Sequence, residues 1–254
     1  MKKNFINLRY IKIKLSKKTV EAVEELNAGR SVNPSQFTRE ELNEIGLCYW
    51  HGHIVSWDYK ESIKWYLMSA HKHLKAAELN LYRCYRWGKG VKPNMEEAMY
   101  WLKKAVRHNS ASAQLFLAEH YYDGLYLRRN RRLAKLWFAR SVENAFKEES
   151  AGTLNVLGSM FYKGKHGFQI DKEMAIKCFE KAAELQMSLS IFWLIIIYME
   201  EGDREKVNYW TERYQKCPNK HKLLTGMIER LAESEHLVDN LKTKNNEPPS
   251  EDYI

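Results

Sequence analysis

The chain of 254 residues is 44% hydrophobic and contains 15 Tyr and 8 Trp, a composition that excludes an intrinsically disordered protein. Its formal net charge is +9, but residues 1–18 hold seven Lys or Arg and no acid, which leaves 34 bases and 32 acids elsewhere. The excess of positive charge therefore lies at the N-terminus, so net charge alone does not indicate a nucleic-acid-binding body.

Cysteine usage and hydropathy exclude two further classes. The four cysteines form no CxxC pair, so we expect reduced thiols and a cytoplasmic protein, not a disulfide-stabilised secreted domain. The longest uncharged stretch, residues 185–199, has 15 residues, fewer than the roughly 20 that span a bilayer. No signal peptide is recognisable, because Arg9, Lys12 and Lys14 interrupt any apolar core near the N-terminus.

Residues 1–37 form the first predicted segment. Ile11, Ile13 and Leu15 alternate with lysines, which indicates a short strand or an extended arm, and Thr19–Asn27 has a helical pattern. We interpret the segment as a basic arm and N-terminal cap with solvated lysines. The alternative is a basic arm that contacts an acidic partner or nucleic acid.

A repeated spacing organises residues 38–216. Each copy has an aromatic residue, a glycine three residues later, and a tryptophan thirteen residues after the glycine. Three copies are regular, a fourth has one inserted residue and Cys in place of Trp, and a fifth is shortened. The positions are Tyr49, Gly52 and Trp65; Tyr85, Gly88 and Trp101; Tyr121, Gly124 and Trp137; Phe161, Gly164 and Cys178; Tyr198, Gly202 and Trp210.

The neighbours of these positions predict two helices per copy. An aliphatic residue lies four residues before each aromatic, and small residues flank most of the tryptophans at helical spacing, as in Ala98, Trp101 and Ala105. Each unit is therefore predicted to be helix A, a glycine-containing turn and helix B, with the repeated tryptophans in the core. The predicted units span residues 38–73, 74–109, 110–149, 150–187 and 188–216.

Capping residues support the predicted helix starts. Thr38 with Glu41 and Asp58 with Glu61 resemble capping boxes. Further N-caps are predicted at Asn94, Ser110, Asn130, Asp171, Ser188 and Asp203. Residues 217–243 have a helical pattern and are predicted to form a C-terminal capping helix, because the last repeat of a solenoid has a face to cover. Residues 244–254 are predicted to be a disordered tail.

The pattern closely resembles the Sel-1-like repeat family, a branch of the tetratricopeptide-type α-solenoids. The best matches are YRWGKGVKPNMEEAMYWLKKAV at 85–106, and LGSMFYKGKHGF with MAIKCFEKAA within 157–183. The resemblance covers about 180 residues and implies an all-α, right-handed α-α superhelix of about five helix-turn-helix repeats with helical caps. It departs where a glycine often follows helix B, since His73, Asn109, Ala145 and Gln186 stand there.

The sequence GKG at 88–90 invites a second interpretation, a phosphate-binding loop. Such a loop needs GxxxxGK[ST] between a strand and a helix, and neither the spacing nor a preceding strand is present. Gly88 recurs at the equivalent position of every unit. We therefore predict a turn, because glycine ends a helix at low cost by adopting a positive φ.

No catalytic constellation stands out, so we expect no enzyme, no cofactor and no metal site. The nearest metal-like pairs are His51 with His53 and His71 with His73. An offset of two residues directs two side chains apart on a helix, and neither pair has carboxylates or cysteines at a zinc-like spacing.

A partner-binding surface is predicted from geometry. The helix A positions that face away from the core should line the inner surface, as helix A does in the family, and the A–B turns should form a basic edge. Exposed Trp and Arg are frequent in binding hot spots. The predicted residues are Trp50, His51, Arg83, Arg86, Trp87, Lys89, Lys92, Glu119, Tyr122, Asp123, Arg128, Arg129, Arg131, Tyr162 and Lys163.

The predicted function is non-catalytic binding of a protein partner through this groove and basic edge. The family resemblance implies an adaptor, an assembly scaffold or a bacterial toxin-neutralising immunity protein, with a toxin or an acidic protein as partner. Nucleic-acid binding through the N-terminal arm and the basic edge is the alternative, and it predicts a steep dependence of affinity on salt. The sequence does not indicate an oligomeric state.

Overall fold

The structure is a computed structural model that describes residues 5–7, 12–217, 225–228 and 230. It begins with an antiparallel pair of strands, β1 (Phe5–Asn7) and β2 (Lys12–Lys14). The helices are α1 (Lys17–Asn27), α2 (Arg39–His51), α3 (Tyr59–His71), α4 (Lys75–Trp87), α5 (Met95–Arg107), α6 (Ala111–Asp123), α7 (Arg131–Lys147), α8 (Ala151–Lys163), α9 (Lys172–Glu184), α10 (Ser188–Glu201) and α11 (Arg204–Lys216). Short 3-10 turns lie at Pro34–Gln36 and Lys165–Gly167.

From α2 onwards the helices pack as consecutive antiparallel pairs. In each pair the even-numbered helix is helix A and the next is helix B, and each helix B also contacts the following helix A. The result is an α-solenoid with a small strand pair at its N-terminal end, which confirms the predicted all-α repeat architecture. Both strands belong to the segment predicted to be a cap or arm.

One hydrogen bond repeated in every unit explains the spacing of the aromatic residues. The backbone N–H of the N-cap residue of helix B donates to the backbone carbonyl of the repeated aromatic, at 2.9 Å from Asp58 to Tyr49 and at 2.9 Å from Asn94 to Tyr85. The same bond links Asn130 to Tyr121, Asp171 to Phe161 and Asp203 to Tyr198. It satisfies a carbonyl of the last turn of helix A, where no intrahelical donor is available.

Gly88 closes α4 and is a turn residue, as predicted. Its φ is +65°, in the left-handed region, and an added Cβ would lie 2.6 Å from the ring of Pro93. The equivalent glycines of the other four units also have positive φ angles. A side chain at Gly88 would therefore meet both backbone strain and a steric clash.

The helix starts confirm all but one of the predicted N-caps. Thr38 and Glu41 form a complete capping box, and Asp58, Asn94, Ser110, Asn130, Asp171 and Asp203 each accept a backbone N–H with the side chain. The prediction was wrong for Ser188. The N-cap of α10 is Met187, and Ser188 lies inside the first turn, fully buried and without a partner for its hydroxyl.

The third unit is longer than the others because α7 has 17 residues where the other B helices have 13. Because of the extra turn α7 ends at Lys147, and the left-handed position that follows helix B is Glu149, with a φ of +51°. The prediction that Ala145 directly follows helix B was therefore wrong. Ala145 lies within α7 and is a fully buried core residue. In the other units His73, Asn109 and Gln186 do occupy the left-handed position, with φ between 57° and 62°.

The repeated tryptophans form the core with one exception. Trp65, Trp101 and Trp210 are at most 6% exposed. Trp137 is half-buried, and the guanidinium of Arg140 covers its ring at 4.8 Å. The adjacent Phe138 is the buried aromatic of α7, packed against Phe168 with ring centroids 4.9 Å apart.

At the N-terminal end α1 covers α2. Val20 and Val23 of α1 share a core cluster with Leu42 and Ile45 of α2. At the other end Ile228 belongs to the core cluster of α10 and α11. The predicted capping helix over 217–243 lies mostly outside the described residues, and the predicted disordered tail over 244–254 lies wholly outside them.

A close helix contact in the fourth unit leads to a stability prediction. An added Cβ on Gly158 of α8 would lie 2.7 Å from the ring of Phe179, which is fully buried and stacks on Trp193. Because the ring has no free space to move into, Gly158→Ala should lower the free energy of unfolding by about 1–3 kcal/mol. Urea denaturation followed by circular dichroism measures the change.

The matched control lies in the same helix. No heavy atom lies within 4 Å of a Cβ added to Gly152, so Gly152→Ala should leave stability unchanged or raise it by roughly 0.5–1 kcal/mol. Equal effects of the two substitutions would contradict the close packing of α8 against α9.

Candidate partner-binding site

The structure places most of the predicted binding residues on one surface, which we call the A-helix face. It consists of the outward sides of α2, α4, α6, α8 and α10. Neighbouring A helices meet there through aromatic and charged side chains. Its predicted members are Trp50, His51, Arg83, Arg86, Trp87, Glu119, Tyr122, Asp123, Tyr162 and Lys163.

Between α2 and α4 the face opens into a cavity of about 200 Å³, which we call the Arg83 cavity. It brings together three predicted residues, Trp50, His51 and Arg83, with Leu47, Tyr66 and Asn80 as the other walls. Trp50 is held in place by the ring of Tyr59, 4.8 Å away between centroids. Desolvation lowers the pKa of the Arg83 guanidinium, and this cation forms no ion pair with a carboxylate in the part of the chain that the structure describes.

Between α4 and α6 a hydrogen-bond chain fixes Arg86. His120 is buried, its Nδ1 lies 3.1 Å from the carbonyl of Leu125, and its Nε2 lies 2.9 Å from the hydroxyl of Tyr82. Since a carbonyl only accepts, Nδ1 carries the proton and Tyr82 donates to Nε2. Arg86 in turn donates to the Tyr82 oxygen. Burial lowers the pKa of His120, and the charge of Arg86 lowers it further, which keeps the imidazole neutral.

The guanidinium of Arg86 also lies among aromatic rings. Its carbon lies 5.5 Å from the ring centroid of Trp87 and 5.7 Å from that of Phe116. Trp87 is 51% exposed, so one face of the indole is free to meet a partner. The guanidinium of Arg83 also lies over Phe116, 5.8 Å from the ring centroid. The ring of Phe116 therefore contacts the guanidinium groups of both Arg83 and Arg86.

Glu119 lies beside this cluster. Burial raises the pKa of its carboxyl to about 7, the charge of Arg86 opposes that rise, and Asp123 adds to it. A carboxylate here is poorly solvated, and it forms no ion pair within the described chain. Near neutral pH this position can therefore change its charge state when a partner supplies a cation.

Two smaller clusters continue the face. Between α6 and α8, the ring of Tyr122 lies 5.5 Å from that of His166 and 5.8 Å from the guanidinium of Arg131. Asp123 lies 3.9 Å from His166 Nδ1.

The last cluster joins α8 to α10. The hydroxyl of Tyr162 donates to Glu200, and the ammonium of Lys163 lies 4.6 Å above the ring of Trp193. A mixed aromatic and charged surface thus extends from the first unit to the fifth.

The basic residues of the A–B turns are exposed along one edge. Lys89 lies 5.5 Å above the ring of Tyr59, and Arg129 donates to the backbone carbonyl of Tyr122 at 3.1 Å. Lys92 and Arg128, the remaining predicted turn residues, are also exposed. Among the described residues none of these bases forms an ion pair with a carboxylate.

Geometric reasoning from the sequence missed two members of the face, Phe116 and Trp193. Both lie five residues before the repeated aromatic, a position left out of the prediction. That position is one turn from residues that were included, such as Glu119, so a wider helical window would have found both. Neither Tyr82 nor its partner His120 was among the predicted residues, because their contact depends on the packing of α4 on α6.

A second hollow, of about 1010 Å³, lies between α7 and the segment that precedes α9. Its walls include Phe138, Phe161, Phe168 and the 68% exposed Ile170. The sequence analysis did not predict this hollow, whose walls come from three separate parts of the chain: α7, α8 and the segment that precedes α9.

Comparison with known proteins identifies the family. The model of the Sel1 repeat matches residues 42–74, 75–110, 111–146 and 154–187, more than half of the chain. The chain therefore belongs to the Sel1 repeat family, whose repeats are generally modules of protein–protein interaction. No curated protein sequence matches the chain significantly.

Solved structures with a similar fold include a Sel1 repeat protein from Oxalobacter formigenes, with 21% identity and a TM-score of 0.57 over 85% of this chain and 99% of that one. A Pseudomonas aeruginosa protein designated 5086 has 13% identity and a TM-score of 0.52 over 84% and 88%. The immunity protein Pa5087 from Pseudomonas aeruginosa has 12% identity and a TM-score of 0.40 over 74% and 83%. The first two likenesses support the solenoid fold.

All four cysteines are buried free thiols. Burial raises the pKa of the Cys48, Cys84 and Cys178 thiols to about 12, so these groups stay protonated at neutral pH. In the part of the chain that the structure describes, no helix has the length and apolar character to cross a bilayer.

Proposed function

We propose that this protein is a non-catalytic binding module that holds a protein partner on its A-helix face. The observation that carries the proposal is the pair Arg83 and Arg86. Both cations are partly buried against aromatic rings and lack an ion pair with a carboxylate among the described residues. Burial of the Arg83 guanidinium without a counter-charge is costly, and a partner carboxylate would offset that cost. The charge of Arg86 already acts on Glu119, so Arg83 is the cation that most needs a partner.

The partner that fits this surface is a protein with an acidic patch next to apolar or aromatic side chains. Trp87 and Trp50 supply the aromatic anchors and Arg83 supplies bidentate hydrogen-bond donors, the residue types that dominate binding hot spots. The basic edge with Lys89, Lys92, Arg128, Arg129 and Arg131 would steer an acidic partner towards the face. Membership of a protein-interaction family supports the non-catalytic part of the proposal.

A protein partner suits the face better than nucleic acid. Glu119 and Asp123 follow the arginines of α4 and precede the bases of the next turn in the chain. A protein can present a base to these carboxylates and an acid to the arginines, whereas a phosphate backbone is negative throughout and would be repelled by them. The most basic part of the sequence, residues 1–11, lies largely outside the described residues. The role that follows is that of an adaptor, a scaffold or an immunity protein acting by occlusion, and the buried free thiols support a cytoplasmic location.

Affinity capture from the native cells tests the proposal, with partner identity and amount read by mass spectrometry. The bait variants are Trp87→Ala and Arg83→Gln, and the matched control is Tyr100→Ala, an aromatic on α5 that is 47% exposed and lies off the A-helix face. We expect one stoichiometric protein, weakened at least tenfold by each face variant and retained by the control. Thermal melting of all baits checks that folding is unchanged.

Two outcomes would contradict the proposal. Retention of the same protein by both face variants would remove the A-helix face from the interaction. Recovery of nucleic acid that is lost steeply as salt rises would support the basic arm and edge as the binding site.

A further inference from the structure

Three side chains with metal-ligating atoms meet where the first unit joins the second. His73 lies in the turn between α3 and α4, Glu78 lies in the first turn of α4, and His108 is the C-cap of α5. One ligand atom from each residue lies within 4.8 Å of the other two. The Nδ1 atom of His108 is 2.8 Å from Glu78 Oε2, and the rings of His73 and His108 are 5.6 Å apart.

Glu78 is the unusual member of this cluster. Its side chain is 0% exposed, and its Oε1 atom has no hydrogen-bond partner. A buried carboxylate oxygen without a hydrogen-bond partner destabilises the folded state unless another group satisfies it. The imidazole of His108 contacts only Glu78 Oε2, so Oε1 can still bind a second positively charged group.

The neighbouring ammonium groups do not fill that role. The Nζ atom of Lys75 lies 2.9 Å from Glu148, and that of Lys72 donates to the backbone carbonyl of Phe37. His73 is exposed and the side chain of His108 is 38% exposed, so an ion from solvent can reach both rings. His108 also lies at the C-terminal end of α5, where the helix dipole favours a cation.

We propose that His73, Glu78 and His108 bind a divalent transition-metal ion, with Zn²⁺ as the best fit. Two imidazole nitrogens and one carboxylate oxygen form a ligand set suited to Zn²⁺. A tetrahedral zinc ion with bonds of about 2.1 Å holds its ligand atoms about 3.4 Å apart. Atoms that now lie up to 4.8 Å apart reach that distance through rotation of the two accessible histidines, while Glu78 stays fixed in the core.

The bound ion would act as a clamp between units. It would tie the end of the first unit, through His73, to both helices of the second, through Glu78 and His108. The fourth coordination position would hold water or a ligand from a partner. Binding would raise the thermal stability of the chain, since the ion binds the folded state and closes the junction.

This site is separate from the proposed partner binding, and the sequence analysis expected no metal site. The histidine pairs considered from the sequence were two residues apart, as in His71 and His73. The proposed site instead joins residues 35 apart, nearly one repeat, and only the packing of successive units brings them together.

Titration of the untagged full-length chain with ZnCl₂ in metal-free buffer tests the proposal by calorimetry and by thermal melting. The site variants are His73→Ala and His108→Ala, and the matched control is His71→Ala, an exposed histidine two residues from His73. We expect one Zn²⁺ per wild-type chain, a rise in Tm with Zn²⁺, and affinity at least tenfold weaker in each site variant. The control should bind as the wild type does.

A second readout follows Co²⁺, whose visible absorption reports tetrahedral coordination and should disappear in the site variants. Thermal melting without metal shows whether the variants still fold, and both replaced side chains reach the surface. Absence of Zn²⁺ binding by the wild type, or equal binding by the wild type and both site variants, would overturn the proposal.

Discussion

Replacement of Trp101 by alanine is expected to lower the free energy of unfolding by about 3–5 kcal/mol. Trp101 is 4% exposed and lies in the largest core cluster of the first three units, with contributions from α3 to α6. Its indole nitrogen has no hydrogen-bond partner, so the loss comes from packing and from the cavity left behind. Urea denaturation followed by circular dichroism measures the effect, with an unchanged urea dependence as the sign that unfolding remains cooperative.

Trp87→Ala is the matched control for this prediction. Trp87 is 51% exposed and makes contact mainly with Arg86, so its truncation should cost less than about 1 kcal/mol. Trp101→Phe should cost much less than Trp101→Ala, because the phenyl ring retains most of the packing and no hydrogen bond is lost. A loss below about 1 kcal/mol for Trp101→Ala would show that the register of the repeats is wrong.

Glu119→Gln is expected to stabilise the protein at pH 8 and to have little effect at pH 5. Burial raises the folded-state pKa of Glu119 to about 7, while an unfolded glutamate titrates near its ordinary value of 4.5. Between these two values the folded state binds more protons than the unfolded state, so wild-type stability falls as pH rises. The amide cannot ionise, and its advantage at pH 8 should reach about 2–3 kcal/mol.

Denaturation curves of the wild type and of Glu119→Gln at pH 5 and pH 8 give the free energy of unfolding of each protein at each pH. The test compares the stability gained by the substitution at pH 8 with that gained at pH 5. His120 titrates in the opposite sense, since its lowered pKa favours stability at higher pH, but it is present in both proteins and largely cancels. Glu96→Gln, at an exposed carboxylate in the first turn of α5, should show no such pH-dependent gain. Equal effects of Glu119→Gln at the two pH values would contradict a buried, poorly solvated carboxyl.

The repeat itself could be predicted from the sequence because each of its signals has a local physical cause. Gly88 marks a left-handed turn, Asn94 caps the next helix, and Trp101 recurs at a core position. These features depend on a few neighbouring residues, so spacing alone was sufficient to place the helices within a few residues. The N-cap predicted at Ser188 was wrong because the packing of α10 buries this serine, and local spacing does not reveal such packing.

The site was less predictable because it depends on contacts between units. Trp50 and Arg83 were predicted separately, and only the packing of α2 on α4 places them around one cavity. The chain from Leu125 through His120 and Tyr82 to Arg86 likewise crosses from α6 to α4. The cluster around Glu78 was missed for the same reason, because the packing of successive units decides which of their side chains meet.

Photocrosslinking in the native cells shows whether a protein partner binds the A-helix face. A photoreactive phenylalanine analogue would replace Trp87 on the A-helix face in one bait and Tyr100 on α5 in the other, with both crosslinked products identified by mass spectrometry. We expect position 87 to crosslink to a single protein and position 100 not to crosslink to it. Crosslinking of that protein from position 100 with none from position 87 would show that the partner binds a different surface.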